Sequence, residues 1–248
     1  MNFLFNLNFK LHFDFSNPKV AIVNIVIILF FILGIYDGYK KGVFESFFKT
    51  LGFILSCYLA FILKDHLSII FYKYLPFLKF GGVFKGITAL NILFYELLAF
   101  ILIFIVCMII FSLLLKMTQI IEKLVNHLPL IGFIDHLIGA IFGFVQSIVI
   151  LYLVVFIFKF GCNLFGFGVE PSLADDVMNI PILKEKFGNS LEAFDDIVTL
   201  KADNEEMSKE EFNNRAIKVL LDKKVISREN LNVLIDKNKI TYEEPTEN

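Results

Sequence analysis

Two apolar runs without a single charge, over residues 97–115 and 137–158, constrain this chain more than anything else in it. A helix needs about 20 predominantly apolar residues to cross the hydrocarbon layer of a bilayer, and both runs qualify. They fix the solvent first: function has to be argued in lipid. Two further stretches follow the same logic. Residues 20–36 have Asn24 as their only polar side chain. Residues 43–63 are less pure, because they contain Glu45 and Lys49. These two stand at i and i+4 with the acid first, the favourable order on a helix. Both lie in the first two turns, where snorkelling to the interface avoids the cost of a charge at the bilayer centre. With Glu96 near the start of the third span, the spans are placed over 20–36, 43–63, 92–115 and 133–158.

Charge divides the chain in two. Residues 1–160 hold twelve lysines against seven carboxylates, and residues 161–248 hold eleven basic against eighteen acidic residues. The formal net charge of −2 thus hides a basic membrane half and an acidic tail. Phe is abundant (31 copies) and Trp is absent, so Tyr36, Tyr39, Tyr72 and Tyr74 are the aromatic anchors expected near span ends. The three cysteines, Cys57, Cys107 and Cys162, have neither disulfide-framework nor zinc-site spacing and read as apolar fillers. No cleavable signal peptide is visible, so the first span is expected to be its own insertion signal.

The segments between spans carry their own patterns. Residues 1–17 alternate strictly, with Phe5, Leu7, Phe9, Leu11, Phe13 and Phe15 between polar neighbours. Period two predicts a strand or an amphipathic surface segment over 1–18. A tight loop is expected over 37–42. The link over 64–91 carries an apolar patch, 67–80, broken by Lys73, Pro76 and Lys79, which reads as interfacial or re-entrant. Met117, Ile120, Ile121, Leu124, Val125 and Leu128 recur at helical spacing and predict an amphipathic helix on the membrane surface, ended by Pro129. Beyond residue 160, Ser172 and Pro181 suit helix starts. Ser208 with Glu211 fits a capping box, and Ser227 suits a last start. The tail is expected to be a small soluble helical module with a disordered end over 242–248. The fold class is therefore all-α: an N-terminal segment 1–18, a four-span membrane domain 19–160 with an interfacial helix, and an acidic helical tail 161–248.

Two glycine motifs stand out. Gly34, Gly38 and Gly42 are spaced by four, as are Gly139, Gly143 and Ser147 inside the last span. Small residues four apart share a helix face and let another backbone approach. The second motif reads as a helix–helix contact, within the bundle or between copies. The first leaves the membrane at Asp37, so Gly38 and Gly42 are expected to serve a turn. Asp135 sits at the start of the last span, where a carboxylate meets the positive end of the helix dipole.

The order of span, Gly-x-x-basic-Gly loop, span, span, surface helix and Asp-x-x-apolar-Gly-x-x-x-Gly span resembles the colicin V production protein (CvpA) family of bacterial membrane proteins. The matching residues are Gly38, Lys41 and Gly42 with Glu45 beyond, and Asp135, Gly139 and Gly143. Ser172 and Pro181 resemble the family's post-membrane segment. Family members often carry a basic residue and a further glycine where this chain has Gln146 and Ser147, so a charge-based role there is lost while close packing survives. The resemblance implies an inner-membrane, multi-pass protein needed for toxin export, envelope integrity or small-molecule traffic.

No phosphate-cradling loop, zinc-spaced His pair or supported Ser/His/Asp arrangement occurs, so no enzyme, cofactor or metal is expected. The expected partners are the lipid bilayer, a further copy of the chain, and a protein that meets the acidic tail; no nucleic acid is expected. Two functions follow. One is a membrane scaffold or accessory protein. The other is a small oligomeric channel or transporter, for which Glu45, Lys49 and Glu96 are the intramembrane ionisable groups. Orientation stays open: lysine counts favour a cytoplasmic tail, whereas the family's basic first loop is usually cytoplasmic and gives the opposite answer.

Overall fold

A computed structural model describes residues 17–79, 87–125, 132–164, 173–203 and 207–244. Among them the regular elements are helices: α1 (Pro18–Tyr74), α2 (Thr88–Val125), α3 (Gly132–Leu164), α4 (Leu173–Met178), α5 (Pro181–Asp203), α6 (Lys209–Asp222) and α7 (Arg228–Asp236). Three stretches are long and apolar enough to cross a membrane: Pro18–Tyr74, Thr88–Lys116 and Phe133–Lys159. Many of their large apolar side chains lie outward, as lipid-facing ones do. Ile105, Val106, Ile109, Ile110 and Leu113 of α2 are all more than 40% exposed. The alternating N-terminal segment, the surface-helix side chains, residues 80–86 of the link and Ser172 lie outside the described residues.

The 57-residue α1 is not one rod. A straight helix of that length would measure about 86 Å, nearly three times the hydrocarbon thickness. Gly42 breaks it, with φ 78° and ψ −180°. Ser46 Oγ donates to the Gly38 carbonyl at 3.1 Å, and Lys49 Nζ stands 3.2 Å from Asp37 Oδ2. On a straight helix those pairs would be separated by about 12 and 18 Å along the axis. The chain therefore doubles back at Gly42.

The helices outrun the expected spans. The loop expected over 37–42 contracts to Gly42 alone. The second arm passes residue 63 and runs to Tyr74, so most of the apolar patch expected to lie apart from the span continues it. A charge at Lys64 does not end the helix, because it is paired inside the protein (below). The backbone of α2 likewise continues to Val125, joining the third span to the start of the expected surface helix.

The chain forms two compact units that ignore chain order: Met1–Leu51 with Lys123–Lys186, and Gly52–Glu122 with Phe187–Asn248. In the second, α6 and α7 begin at Ser208 and Ser227. Each hydroxyl accepts from the backbone N–H three residues on, at 3.2 Å from Glu211 and 3.1 Å from Asn230. That satisfies an orphan donor of the first turn. The end of α6 reverses through Lys224, a non-glycine residue at φ 55°, with Val225 N–H bonded to the Leu220 carbonyl at 2.9 Å. This is a left-handed helix stop. Phe212, Ala216, Ile217, Leu220, Leu231 and Leu234 are buried by it.

Candidate functional site

In the first unit, α1 and α3 run so close that backbone meets backbone. A Cβ added to Gly143 would stand 2.2 Å from the Gly34 carbonyl oxygen. One added to Gly38 would stand 2.3 Å from the Gly139 oxygen, and one on Gly139 2.5 Å from the Gly38 oxygen. Ser147 completes the row: its Cβ is 2.6 Å from the Cβ position of Gly34. The pairing 34 with 147, 38 with 143 and 139, and 42 with 139 is antiparallel. Glycine is needed because neither partner can retreat, and close approach is what holds helices together in lipid. Both glycine motifs thus belong to one contact within one chain. Gly38, expected to serve a turn, sits inside it.

Gly42 is required twice. Its φ is in the left-handed region, and the space a Cβ would take is filled by Asp135 Oδ2, 2.1 Å away. Asp135 Oδ1 accepts from the Val43 N–H at 3.1 Å. A carboxylate on α3 therefore caps the helical arm that starts at Val43, supplying the negative charge that end favours. Thr50 Oγ1 bonds the Phe142 carbonyl at 3.1 Å, and Phe47 meets Phe142 edge-on at 5.2 Å. Beside the break, Lys41 and Lys49 both pair with Asp37. Lys49 thus finds its partner twelve residues back rather than at Glu45, which is half-buried on the same arm. His136 Nδ1 lies 2.6 Å from the Tyr39 carbonyl oxygen. Fully buried Asn24 accepts from the first N–H of α4, at Leu173, at 3.0 Å, and Lys159 pairs with Asp175.

The second unit holds a buried charge network. Lys64 Nζ contacts Glu96 Oε2 at 2.7 Å, Asp65 Oδ1 at 2.6 Å and the Val225 carbonyl at 3.1 Å. The side chains of Lys64 and Glu96 are only 10% and 4% exposed. Tyr72 donates to Glu96 Oε1 at 2.6 Å. Asn230 of α7 donates to Ser68 Oγ at 3.1 Å, the Asp65 carbonyl at 3.2 Å and Glu96 Oε1 at 3.4 Å. Glu96 therefore points into the protein, paired with Lys64. Lys64 was expected only as a basic residue just beyond the second span. Its signal was a face: Lys64, Ser68 and Tyr72 recur every four residues, so three polar groups share one side of α1.

The tail also finishes the ends of these helices. The Thr88 N–H at the start of α2 bonds Asn213 Oδ1 of α6 at 2.9 Å. Lys239 donates to the Leu75 carbonyl just past α1 and lies 5.4 Å over the Phe77 ring. Helix ends leave such groups unpaired, and here the tail pairs them. Asn91 holds both N–H and C=O of Leu78, at 2.6 and 3.2 Å. Three tail groups are shifted from their usual ranges. A hydrogen bond to Glu192 raises the Lys223 ammonium, while burial lowers Lys239 and raises the Tyr242 phenol. Among the described residues, no three His, Cys, Asp or Glu side chains converge as metal ligands would.

These arrangements pack helices, cap them and hide a charge pair. No curated protein and no solved structure matches the chain. The family model described as Colicin V production protein matches residues 23–163, from α1 through nearly all of α3 and more than half of the sequence. This multi-pass membrane chain therefore belongs to the Colicin V production protein family.

Proposed function

We propose that the protein is an integral scaffold or accessory protein of the bacterial inner membrane, serving toxin export or envelope integrity, which presents its acidic helical tail to a protein partner. The observation that carries this reading is the attachment of α6 and α7 to α1 and α2 through Asn213, Lys239 and Asn230. A tail fastened to helix ends is held at the membrane edge in one orientation, which suits a docking platform. Each arm of α1 is long enough to cross the bilayer once, so the reading has four crossings with α2 and α3. The glycine face is filled within the chain, so a homo-oligomer would join through other membrane surfaces. Photo-crosslinkers at exposed Glu210 and Arg215 in native membranes test the proposal. A discrete adduct from either position, lost from the Arg215 probe when Glu210 and Glu211 are made Lys, supports it. No adduct from either position overturns it.

The alternative, a small channel or transporter, is favoured by the Lys64–Glu96 pair, because ionisable groups within membrane helices often line a path for ions or substrates. Ion flux through liposomes containing the purified protein, altered by Glu96→Gln, is the expected result. Absence of flux, or flux unchanged in that variant, removes this reading.

A further inference from the structure

We infer that the turn from Val225 to Asn230 is a releasable latch, which fastens α6–α7 over the Lys64–Glu96 pair and exposes that pair to water when it lifts. The latch touches both members of the pair. The Val225 carbonyl accepts from Lys64 Nζ, and Asn230 Nδ2 bridges Ser68, the Asp65 carbonyl and Glu96. The charged and titratable groups facing Glu96 from α1 are Lys64, Asp65 and Tyr72. Closure has two opposing terms. Val225 and Ile226 are each 3% exposed, and their burial holds the latch shut. Closure also strips water from an ion pair, which is costly even when the pair is well formed. The hydrogen bonds gained replace bonds to water and contribute little net. Large terms of opposite sign leave a narrow margin, and the charge on Glu96 sits within it.

Asn213 on Thr88 and Lys239 on Leu75 are hydrogen bonds at helix ends, where water can replace them, and Lys239 also lies over the Phe77 ring. The segment can therefore lift without disturbing the apolar packing of α2 against the second arm of α1, seen in Phe53 against Phe104 at 5.3 Å.

Hydrogen exchange of the full-length protein in nanodiscs, read by peptide mass, tests the inference. In the wild type, amides of α6 and α7 should exchange together and faster than those of 93–103 in α2. Asn230→Ala leaves the ion pair intact and should speed α6–α7 exchange by about tenfold, the equivalent of about 1.4 kcal/mol, with 93–103 unchanged. Glu96→Gln should speed α6–α7 exchange by at least that factor, and Lys64 should become reactive towards an amine-directed reagent. Three outcomes overturn the latch: α6–α7 exchanging no faster than 93–103 in the wild type, no acceleration in Asn230→Ala, or acceleration in 93–103 by the same factor. None depends on a docked partner or on ion flux, so the latch and the proposed functions fail separately.

Discussion

At Gly143 the approach of two backbones leaves no room for one methyl group. A Cβ would stand 2.2 Å from the Gly34 oxygen and 2.9 Å from Gly38 Cα, and neither atom belongs to a side chain that can swing away. Gly143→Ala should therefore destabilise by about 1–3 kcal/mol or more, the range for overpacked sites. Ile141→Ala, at a position 57% exposed, should stay within about 0.5 kcal/mol. Thermal unfolding of both variants in one detergent reads the difference. The Lys64–Glu96 pair gives a second prediction of this kind. Removing one member of a buried pair leaves an uncompensated charge and costs about 3–5 kcal/mol, whereas replacing both with apolar groups is often neutral. Lys64→Met and Glu96→Gln should each lower the unfolding midpoint strongly. The double variant Lys64→Met/Glu96→Leu should recover most of the loss, and the absence of recovery would show that the pair's hydrogen bonds matter more than its charge. Lys64 illustrates what a sequence hides. A lysine after an apolar run reads as an exit from the membrane, because its partner Glu96 lies 32 residues away and no local pattern joins them.

Helices were the most legible level. Uncharged runs mark α2 and α3 from composition alone, since nothing else satisfies a long apolar segment, and Ser208 and Ser227 announce α6 and α7 by cap chemistry that acts over three residues. The break in α1 was half legible. Gly42 could be read as a turn, but the acceptor that ends one arm and starts the next is Asp135, 92 residues downstream of the N–H it caps. That cap is testable. Asp135→Ala removes the acceptor and the charge at the start of the second arm and should cost about 1–2 kcal/mol. Asp135→Asn keeps an acceptor and should cost about half as much, in the range of about 0.3–1 kcal/mol for the lost charge. Chemical denaturation followed by helix circular dichroism separates them. A stabilising change is available at the other end of the chain. Lys224 holds a left-handed conformation at φ 55°, which costs a residue with a Cβ about 1–2 kcal/mol relative to glycine. Part of that is offset by glycine's greater freedom when unfolded. Lys224→Gly should therefore raise stability by a few tenths to about 1 kcal/mol, read as a higher midpoint in the same denaturation series.

For the whole molecule, glycine packing and polar capping do different work in the two units. Apolar burial cannot distinguish one helix neighbour from another in lipid, because a lipid tail is as apolar as leucine. The first unit gains its specificity from backbone contact along Gly34, Gly38, Gly139 and Gly143, and the second from the hydrogen bonds of Lys64, Glu96, Asn230 and Asn213. That division bears on topology. If each arm of α1 crosses once, Lys40, two residues before the break, emerges on the face opposite to Lys19 and to the tail. Single cysteines placed at Lys19, Lys40 and Glu229 in a background lacking Cys57, Cys107 and Cys162 should then label from opposite faces. A membrane-impermeant maleimide applied to intact spheroplasts should reach Lys40→Cys alone, or Lys19→Cys and Glu229→Cys together, according to orientation. Labelling of all three from one face would reduce the α1 hairpin to a re-entrant element and leave α2 and α3 as the two helices that cross. The tail would also respond to the answer. A cytoplasmic tail carrying Glu210 and Glu211 faces an anionic leaflet that repels it, so its fastening by Asn213 and Lys239 has to hold against that field. Raising the anionic lipid fraction in nanodiscs should then speed α6–α7 exchange at low salt and lose that effect at about 1 M salt, where the screening length falls to about 3 Å.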